Sequence, residues 1–205
     1  AAIAANVAGD AQNLVTSTTI YSTYLWIGGI GATLPLVVMM MWSRSARLKA
    51  LGRASFVPSI FNINEPVVFG AIAWNPTLMI PMWLQGLILP LVVWLFTKVI
   101  PFAPIPMDQF EMWYTPFPFA TWITTRSITA VLLMLLVAAL ATAIWYPFFK
   151  TYERAALKSE AELVAKEDVE ATVEAAVEAV VEELALPTAE ATVYLISTVT
   201  QSVEG

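Results

Sequence analysis

The chain has 205 residues, of which 59% are hydrophobic and 13% are charged, and its formal net charge is −6. A soluble domain carries about a quarter charged residues, so this composition excludes an ordinary soluble fold and predicts a membrane protein. Cysteine and histidine are absent. Their absence excludes thiol redox chemistry and a phosphocysteine or phosphohistidine on this chain, and we predict neither a metal site nor a cofactor.

Charge divides the sequence near Lys150. Residues 1–150 carry a net charge of +3, whereas residues 151–205 carry −9. We predict a membrane part over 1–150 and an acidic, water-exposed extension over 151–205. The chain begins with Ala and has no basic segment before its first apolar residues, so we expect the back part of a longer protein without a signal peptide.

The first apolar segment is about Ser22–Trp42 and has no interior charge. A helix of roughly 20 residues crosses about 30 Å of hydrocarbon, so we predict a transmembrane helix here. Gly28, Gly29 and Gly31 lie inside it. Small residues let a second backbone approach closely, so these glycines predict a helix contact.

The next apolar stretch, Phe56–Trp74, is interrupted by the polar run Asn62-Ile63-Asn64-Glu65-Pro66. These residues end helices rather than continue them. We therefore predict two half-helices that enter the membrane and return on the same side, a re-entrant hairpin, with Pro66 in the first turn of the second.

Glu65 is the most informative residue of this hairpin. A carboxylate at membrane depth costs on the order of ~3 kcal/mol, so it is normally kept where water, a partner or a substrate meets it. We predict a solute-binding site around Glu65. A structural alternative is a carboxylate that caps the second half-helix, and Asn62 and Asn64 either bind the solute or satisfy backbone groups of the broken helix.

Two further segments predict transmembrane helices, about Thr77–Ile100 and Ser127–Phe149. Pro81 and Pro90 each remove a helical hydrogen bond, so we expect the Thr77–Ile100 helix to be bent or broken. The loop 101–126, which connects these two predicted helices, is rich in proline and aromatic residues. Its rings serve either packing at the membrane interface or stacking on a sugar, and the sequence leaves both open.

Basic residues predict the orientation. They cluster over Arg44–Arg53 and again over Lys150–Lys158. If the hairpin does not cross, both clusters lie on the cytoplasmic side, whereas Asp108 and Glu111 lie opposite. The predicted fold class is an all-α polytopic membrane protein with about three transmembrane helices, a re-entrant hairpin and an acidic helical tail.

In that tail, valines at helical spacing alternate with glutamates over Glu153–Leu184. The pattern predicts a partly amphipathic helix whose apolar stripe needs a partner. Farther on, Thr192–Thr200 is β-prone.

Several ordered runs carry a family resemblance. They are Ile27–Leu34, Arg47–Gly52, Pro58–Gly70, Asn75–Pro76, Trp113–Pro116 and Tyr146–Lys150. Over about residues 20–155 they strongly resemble the lactose/cellobiose (diacetylchitobiose) type of enzyme IIC, the membrane permease of the bacterial phosphoenolpyruvate-dependent sugar phosphotransferase system.

This resemblance implies that the chain is the C-terminal, sugar-holding part of a permease. Our candidate substrate-binding residues are Asn62, Asn64, Glu65 and Trp113. By resemblance, Glu65 and Asn64 lie against sugar hydroxyls and Trp113 contacts the sugar ring. Glu65 is the candidate catalytic residue, a general base for the hydroxyl that is phosphorylated. The family's histidine lies upstream of the matched region.

The implied partners are a disaccharide with a β-linkage, a phosphorylated IIB protein whose phosphocysteine is the donor, membrane lipid and a second copy in a homodimer. No nucleic-acid partner is predicted. The resemblance implies a multi-pass protein of the bacterial plasma membrane with a cytoplasmic C-terminus, acting as the membrane component of a protein-phosphocysteine–sugar phosphotransferase.

Two other functions stay open from the sequence. One is a non-transporting membrane interaction protein, a permease remnant that acts through its acidic tail. The other is a proton-coupled sugar carrier in which Glu65 titrates, although the sequence offers no second intramembrane acid or histidine to relay protons.

Overall fold

The computed structural model describes residues 20–106 and 112–184, and all regular structure in these ranges is helical. The helices are α1 (Leu34–Met41), α2 (Ala46–Ile60), α3 (Glu65–Val67), α4 (Pro76–Trp94), α5 (Phe119–Thr125) and α6 (Ile128–Leu184). A π-helical turn, Tyr21–Leu25, precedes α1, and two more, Val68–Ile72 and Leu95–Val99, extend α3 and α4. Asp108, Glu111 and the β-prone Thr192–Thr200 lie outside the described residues.

Two of the described helices are long and apolar enough to cross a membrane, Pro76–Val99 and Ile128–Ala179. The predictions of long apolar helices from about Thr77 and from about Ser127 are thereby confirmed. Of the two expectations for this helix, a bend or a break at Pro81 and Pro90, the break is wrong, because α4 runs through both prolines.

The prediction of one continuous helix over Ser22–Trp42 is also wrong. The helical turn ends at Leu25 and α1 begins only at Leu34, with proline in its first turn. The connection, residues 26–33, is called the glycine loop here. Its three glycines have φ of +81°, +92° and +83°, a region that L-residues with a side chain rarely occupy. At 8 residues, α1 is about 12 Å long, too short to cross a bilayer.

The predicted interruption of the next segment is present. Helix α2 starts at a Ser45 cap, whose hydroxyl accepts a hydrogen bond from the Leu48 N–H at 3.2 Å. It ends in a turn where Asn62 has a left-handed φ of +62°. Helix α3 follows with Pro66 in its first turn, where a missing N–H removes no helical bond. Residues 61–64 form the hairpin turn.

Helix α6 joins two apolar clusters. One packs Leu89 and Val93 of α4 against Leu133 and Val137 of α6, and the other packs α1, α2 and α3 against the buried Trp145. The Trp145 indole N–H also donates to the carbonyl of Ala32 at 2.9 Å. Helix α6 thus contacts the glycine loop directly through Trp145.

A buried carboxylate ties α6 to the turn between α1 and α2. Glu153, 6% exposed, accepts hydrogen bonds from the Ser43 hydroxyl at 2.7 Å, the Arg44 N–H at 3.0 Å and the Lys150 ammonium at 2.8 Å. We call this group the Glu153 clamp. It lies beyond Phe149, where the predicted span ends. Burial alone raises the pKa of Glu153, but the bonds from Lys150, Ser43 and Arg44 outweigh it and lower the pKa to about 2.

The chain divides into two compact units, Ala1–Ala156 and Leu157–Gly205. In the described part of the second unit, residues 157–184 are helical. Val164, Val169 and Val173 are exposed there, and Lys158 forms an exposed ion pair with Glu162 at 3.8 Å.

Candidate functional site

Three segments meet at the side chain of Asn62. Its oxygen accepts from the backbone N–H groups of Gly28 at 3.1 Å and Gly29 at 3.3 Å. Its nitrogen donates to the backbone carbonyls of Trp113 at 2.7 Å and Thr115 at 3.1 Å. A side-chain amide has two donor hydrogens and two acceptor positions, so all four are in use. Asn62 is 5% exposed.

Close approach between the glycine loop and the hairpin turn requires a glycine at position 29. A Cβ there would lie 2.8 Å from the Asn62 carbonyl oxygen and 2.8 Å from Cγ of Asn64, closer than van der Waals contact allows. The Asn64 side-chain nitrogen donates to the Ile30 carbonyl at 2.8 Å. The predicted role of this glycine in close backbone approach is therefore present, in a loop rather than in a helix contact.

Glu65 follows the hairpin turn as the first residue of α3. Its side chain is exposed, and among the described residues it forms no hydrogen bond or ion pair, including any with the backbone of α3. The sequence predicted a solute-binding site around this carboxylate, and the described residues leave the side chain exposed. No group of three or more acidic side chains lies together in the described part of the chain, so no metal-ligand set surrounds Glu65.

Trp113 lies in the aromatic loop, residues 112–118, and is 47% exposed. Its ring stands edge-on to Trp26, with centroids 6.3 Å apart and planes at 89°. Tyr114 is also nearly perpendicular, at 5.9 Å and 82°. We call these three rings the aromatic corner. Sequence reasoning missed Trp26, because only the tertiary fold brings it beside residue 113.

Trp26 also lines a cavity of about 180 Å³. The cavity is lined by Tyr21, Leu25, Trp26, Ile30, Gly31, Ala32, Gln85, Gly86, Leu89 and Pro90. Ligand pockets for drug-sized molecules measure about 300–1,000 Å³, so this cavity is too small for a disaccharide, and neither Glu65 nor Trp113 lines it. Asn64 and Glu65 follow Asn62, which bonds to the backbone of Trp113, so we take Asn64, Glu65 and the aromatic corner together as the candidate site.

Comparisons with known proteins identify the family of the chain. The family profile "Phosphotransferase system, EIIC" matches residues 2–86. A lactose-specific EIICB component of Streptococcus mutans is 37% identical over 164 residues, which are 77% of this chain and 28% of that protein. The lactose-specific EIICB component of Staphylococcus aureus is 35% identical over 163 residues, covering 73% of this chain and 26% of the relative.

A solved structure shares both sequence and fold. It is the crystal structure of the transporter ChbC, the IIC component from the N,N'-diacetylchitobiose-specific phosphotransferase system, with a TM-score of 0.67 and 36% identity over 70% of this chain and 34% of that chain. The chain spans about a third or less of the length of these proteins. With matching sequence runs, helical fold and apolar helices, the chain belongs to the enzyme IIC family of phosphotransferase-system sugar permeases, in its lactose/cellobiose group.

Proposed function

We propose that the chain forms the sugar-binding part of a IIC permease, which holds a β-linked disaccharide in the membrane and presents it for phosphorylation during uptake. One observation carries this proposal. The exposed carboxylate of Glu65 has no partner among the described residues, and it follows a turn that Asn62 bonds directly to the backbone of Trp113. An acceptor and an aromatic ring on one framework suit a sugar, which combines hydroxyls with an apolar ring face.

The substrate class rests on the relatives. Lactose and N,N'-diacetylchitobiose, the sugars in the names of two of them, are both β-linked disaccharides. We propose that class for this chain. Among the described residues Asn64 bonds only through its nitrogen, to Ile30, and we propose that its side-chain oxygen accepts from a sugar hydroxyl. Trp113 offers its exposed ring face to the sugar.

Glu65 acts as the general base in this proposal. The sugar hydroxyl oxygen attacks the phosphorus of a phosphocysteine on a IIB protein, the P–S bond breaks, the thiolate leaves, and the hydroxyl proton passes to Glu65. General-base catalysis of this kind typically contributes about 10²–10⁴-fold. The phosphoryl donor belongs to the IIB partner, because this chain contains no cysteine or histidine.

The helices allow a membrane arrangement to be proposed. Helix α4 and the first part of α6 cross the bilayer, and α2, the hairpin turn and α3 form a re-entrant hairpin. Both basic clusters and the C-terminus then face the cytoplasm of the bacterial cell. The complete permease is proposed to be a homodimer.

Sugar binding tests the proposal directly. The chain, alone and joined to the segments of the Streptococcus mutans relative that it does not cover, is titrated calorimetrically with lactose, cellobiose and diacetylchitobiose. Maltose, an α-linked disaccharide, is the control sugar. We expect binding of at least one β-linked sugar and none of maltose. If both proteins are helical and neither binds a β-linked disaccharide, the proposal is wrong.

A further inference from the structure

The sequence made Asn62 a candidate sugar ligand, but its position in the fold suits a different task. All four of its hydrogen-bonding positions face backbone atoms of the glycine loop and the aromatic loop, and the residue is buried. A sugar hydroxyl would have to displace one of these bonds. Displacing one of these buried hydrogen bonds leaves a backbone group without its partner, which is unfavourable, so direct sugar binding by Asn62 is disfavoured.

The hydrogen bonds of Asn62 reach the two backbone segments that carry Trp26 and Trp113, the two indoles of the aromatic corner. The Asn62 nitrogen donates to the carbonyl of Trp113. Its oxygen accepts from the N–H groups of Gly28 and Gly29, which follow Trp26 by two and three residues. Trp26 and Trp113 are the two indoles that meet at 89°. One amide therefore fixes the spacing between the two backbones from which these rings project.

We propose that Asn62 is a positioning residue that holds Trp113 beside Trp26. The aromatic corner, including Trp26, then contacts the sugar, and Asn62 does not. The inference rests on the proposed function for its sugar, but the ring geometry can be measured without any ligand. Perpendicular rings present one face below a sugar and one edge beside it, which restricts the orientation of the bound ring as well as its affinity.

Asn62→Asp separates positioning from simple loss of structure. The new carboxylate has nearly the same shape and still accepts from the two glycine N–H groups, but it places an oxygen against the carbonyls of Trp113 and Thr115. Asn75→Asp is the matched control. Asn75 caps α4 by accepting from the Thr77 N–H at 3.0 Å, a bond that aspartate makes equally well.

The first measurement uses near-ultraviolet circular dichroism, in which two indoles 6.3 Å apart couple. The signal of the pair is obtained by recording each protein with and without the Trp113→Ala substitution and subtracting the two spectra. This difference is measured in the parent, in Asn62→Asp and in Asn75→Asp. We expect Asn62→Asp to lose at least about half of this signal and Asn75→Asp to keep it. An unchanged signal in Asn62→Asp overturns the inference.

The second measurement is a double-mutant cycle on sugar affinity. In the parent background we expect Asn62→Asp to weaken binding about tenfold, and in the Trp113→Ala background less than about twofold, because residues that act through one another are not additive. Equal losses in both backgrounds would mean that Asn62 acts on the sugar by itself, and would refute a positioning role.

Trp26→Phe keeps the test decisive if Asn62→Asp does not fold. It leaves every bond of Asn62 intact, and we expect sugar affinity to fall severalfold with an unchanged melting temperature. Unchanged affinity in this variant refutes the aromatic corner. If neither the chain nor its fusion to the Streptococcus mutans segments binds sugar, the proposed function fails, while the dichroism cycle still decides whether Asn62 sets the two rings.

Discussion

The two ends of α2 are fixed in chemically different ways. At its start, the Glu153 clamp uses a buried charge held by Lys150 and two further donors. At its end, Asn62 uses an uncharged amide bonded only to backbone. A buried charge needs a counter-ion and several hydrogen bonds to offset its desolvation, whereas an amide needs only its hydrogen bonds.

This difference separates structure from function at the candidate site. Because a neutral group holds the three segments together, the charge of Glu65 is not consumed by the fold. The charge that the fold does use lies at the far end of α2, beyond the predicted spans.

Glu65→Gln should produce the largest change. In a phosphorylation assay with phosphorylated IIB, we expect the rate to fall about 10²–10⁴-fold, since glutamine cannot take the hydroxyl proton. The free energy of unfolding should stay within about 0.5 kcal/mol of the parent, as for surface substitutions. Glu162→Gln, an exposed change on the acidic helix, is the control. A Glu65→Gln protein with the full rate would remove the general base from the mechanism.

Glu153→Ala should destabilise the fold by about 2–3 kcal/mol, because it leaves the Ser43 hydroxyl and the Arg44 N–H without their charged acceptor. Chemical unfolding in detergent, followed by the loss of helical circular dichroism, measures this change. The matched control is Glu162→Ala, which removes only an exposed ion pair worth less than about 1 kcal/mol. Equal effects of the two substitutions would show that the clamp contributes nothing special.

Gly29→Ala should destabilise by about 1–2 kcal/mol, because its φ of +92° is costly for alanine and the new Cβ meets the hairpin turn. The matched control is Gly86→Ala, which we expect to stabilise the protein instead. No heavy atom lies within 4 Å of a Cβ at Gly86, and alanine in a helix gains about 0.5–1 kcal/mol. Thermal unfolding of both variants checks the pair, and a neutral Gly29→Ala would contradict the close approach.

Acid should reveal the smallest effect. The pKa of Glu153 is lowered from 4.5 to about 2 in the folded protein, so its stabilisation is complete above pH 4.5 and is lost as the pH falls toward 2. Between pH 5 and pH 3.5 the parent should lose about 1 kcal/mol relative to Glu153→Gln. Parallel melting curves of the two proteins at these pH values measure it. Identical pH dependence would argue against the charged clamp.

Hydropathy and proline placement were enough to predict α4, the start of α6 and the interruption before Glu65. The same signal failed over Ser22–Trp42, because an apolar loop and an apolar helix have the same hydropathy. Only the conformation of the glycines and the position of Pro35 distinguish the two.

At the candidate site, sequence reasoning named the polar residues but not which of them faces inward. Asn62 and Asn64 are two residues apart in the same polar run. Asn62 is buried with its amide fully bonded, whereas the Asn64 oxygen accepts no hydrogen bond within the part of the chain that the structure describes. That choice depends on backbone groups of segments 34 and 51 residues away along the chain. Trp26 was missed for the same reason, since no local pattern links it to Trp113.

Every partner of the Asn62 amide is a main-chain atom, and this has a consequence for redesign. Peptide groups are present whatever the side chain, so the exposed side chains of Ile30, Ile63 and Tyr114 are exchangeable without loss of the bonds that hold the three segments in register. A library confined to those positions would explore new carbohydrate preferences on an unaltered frame.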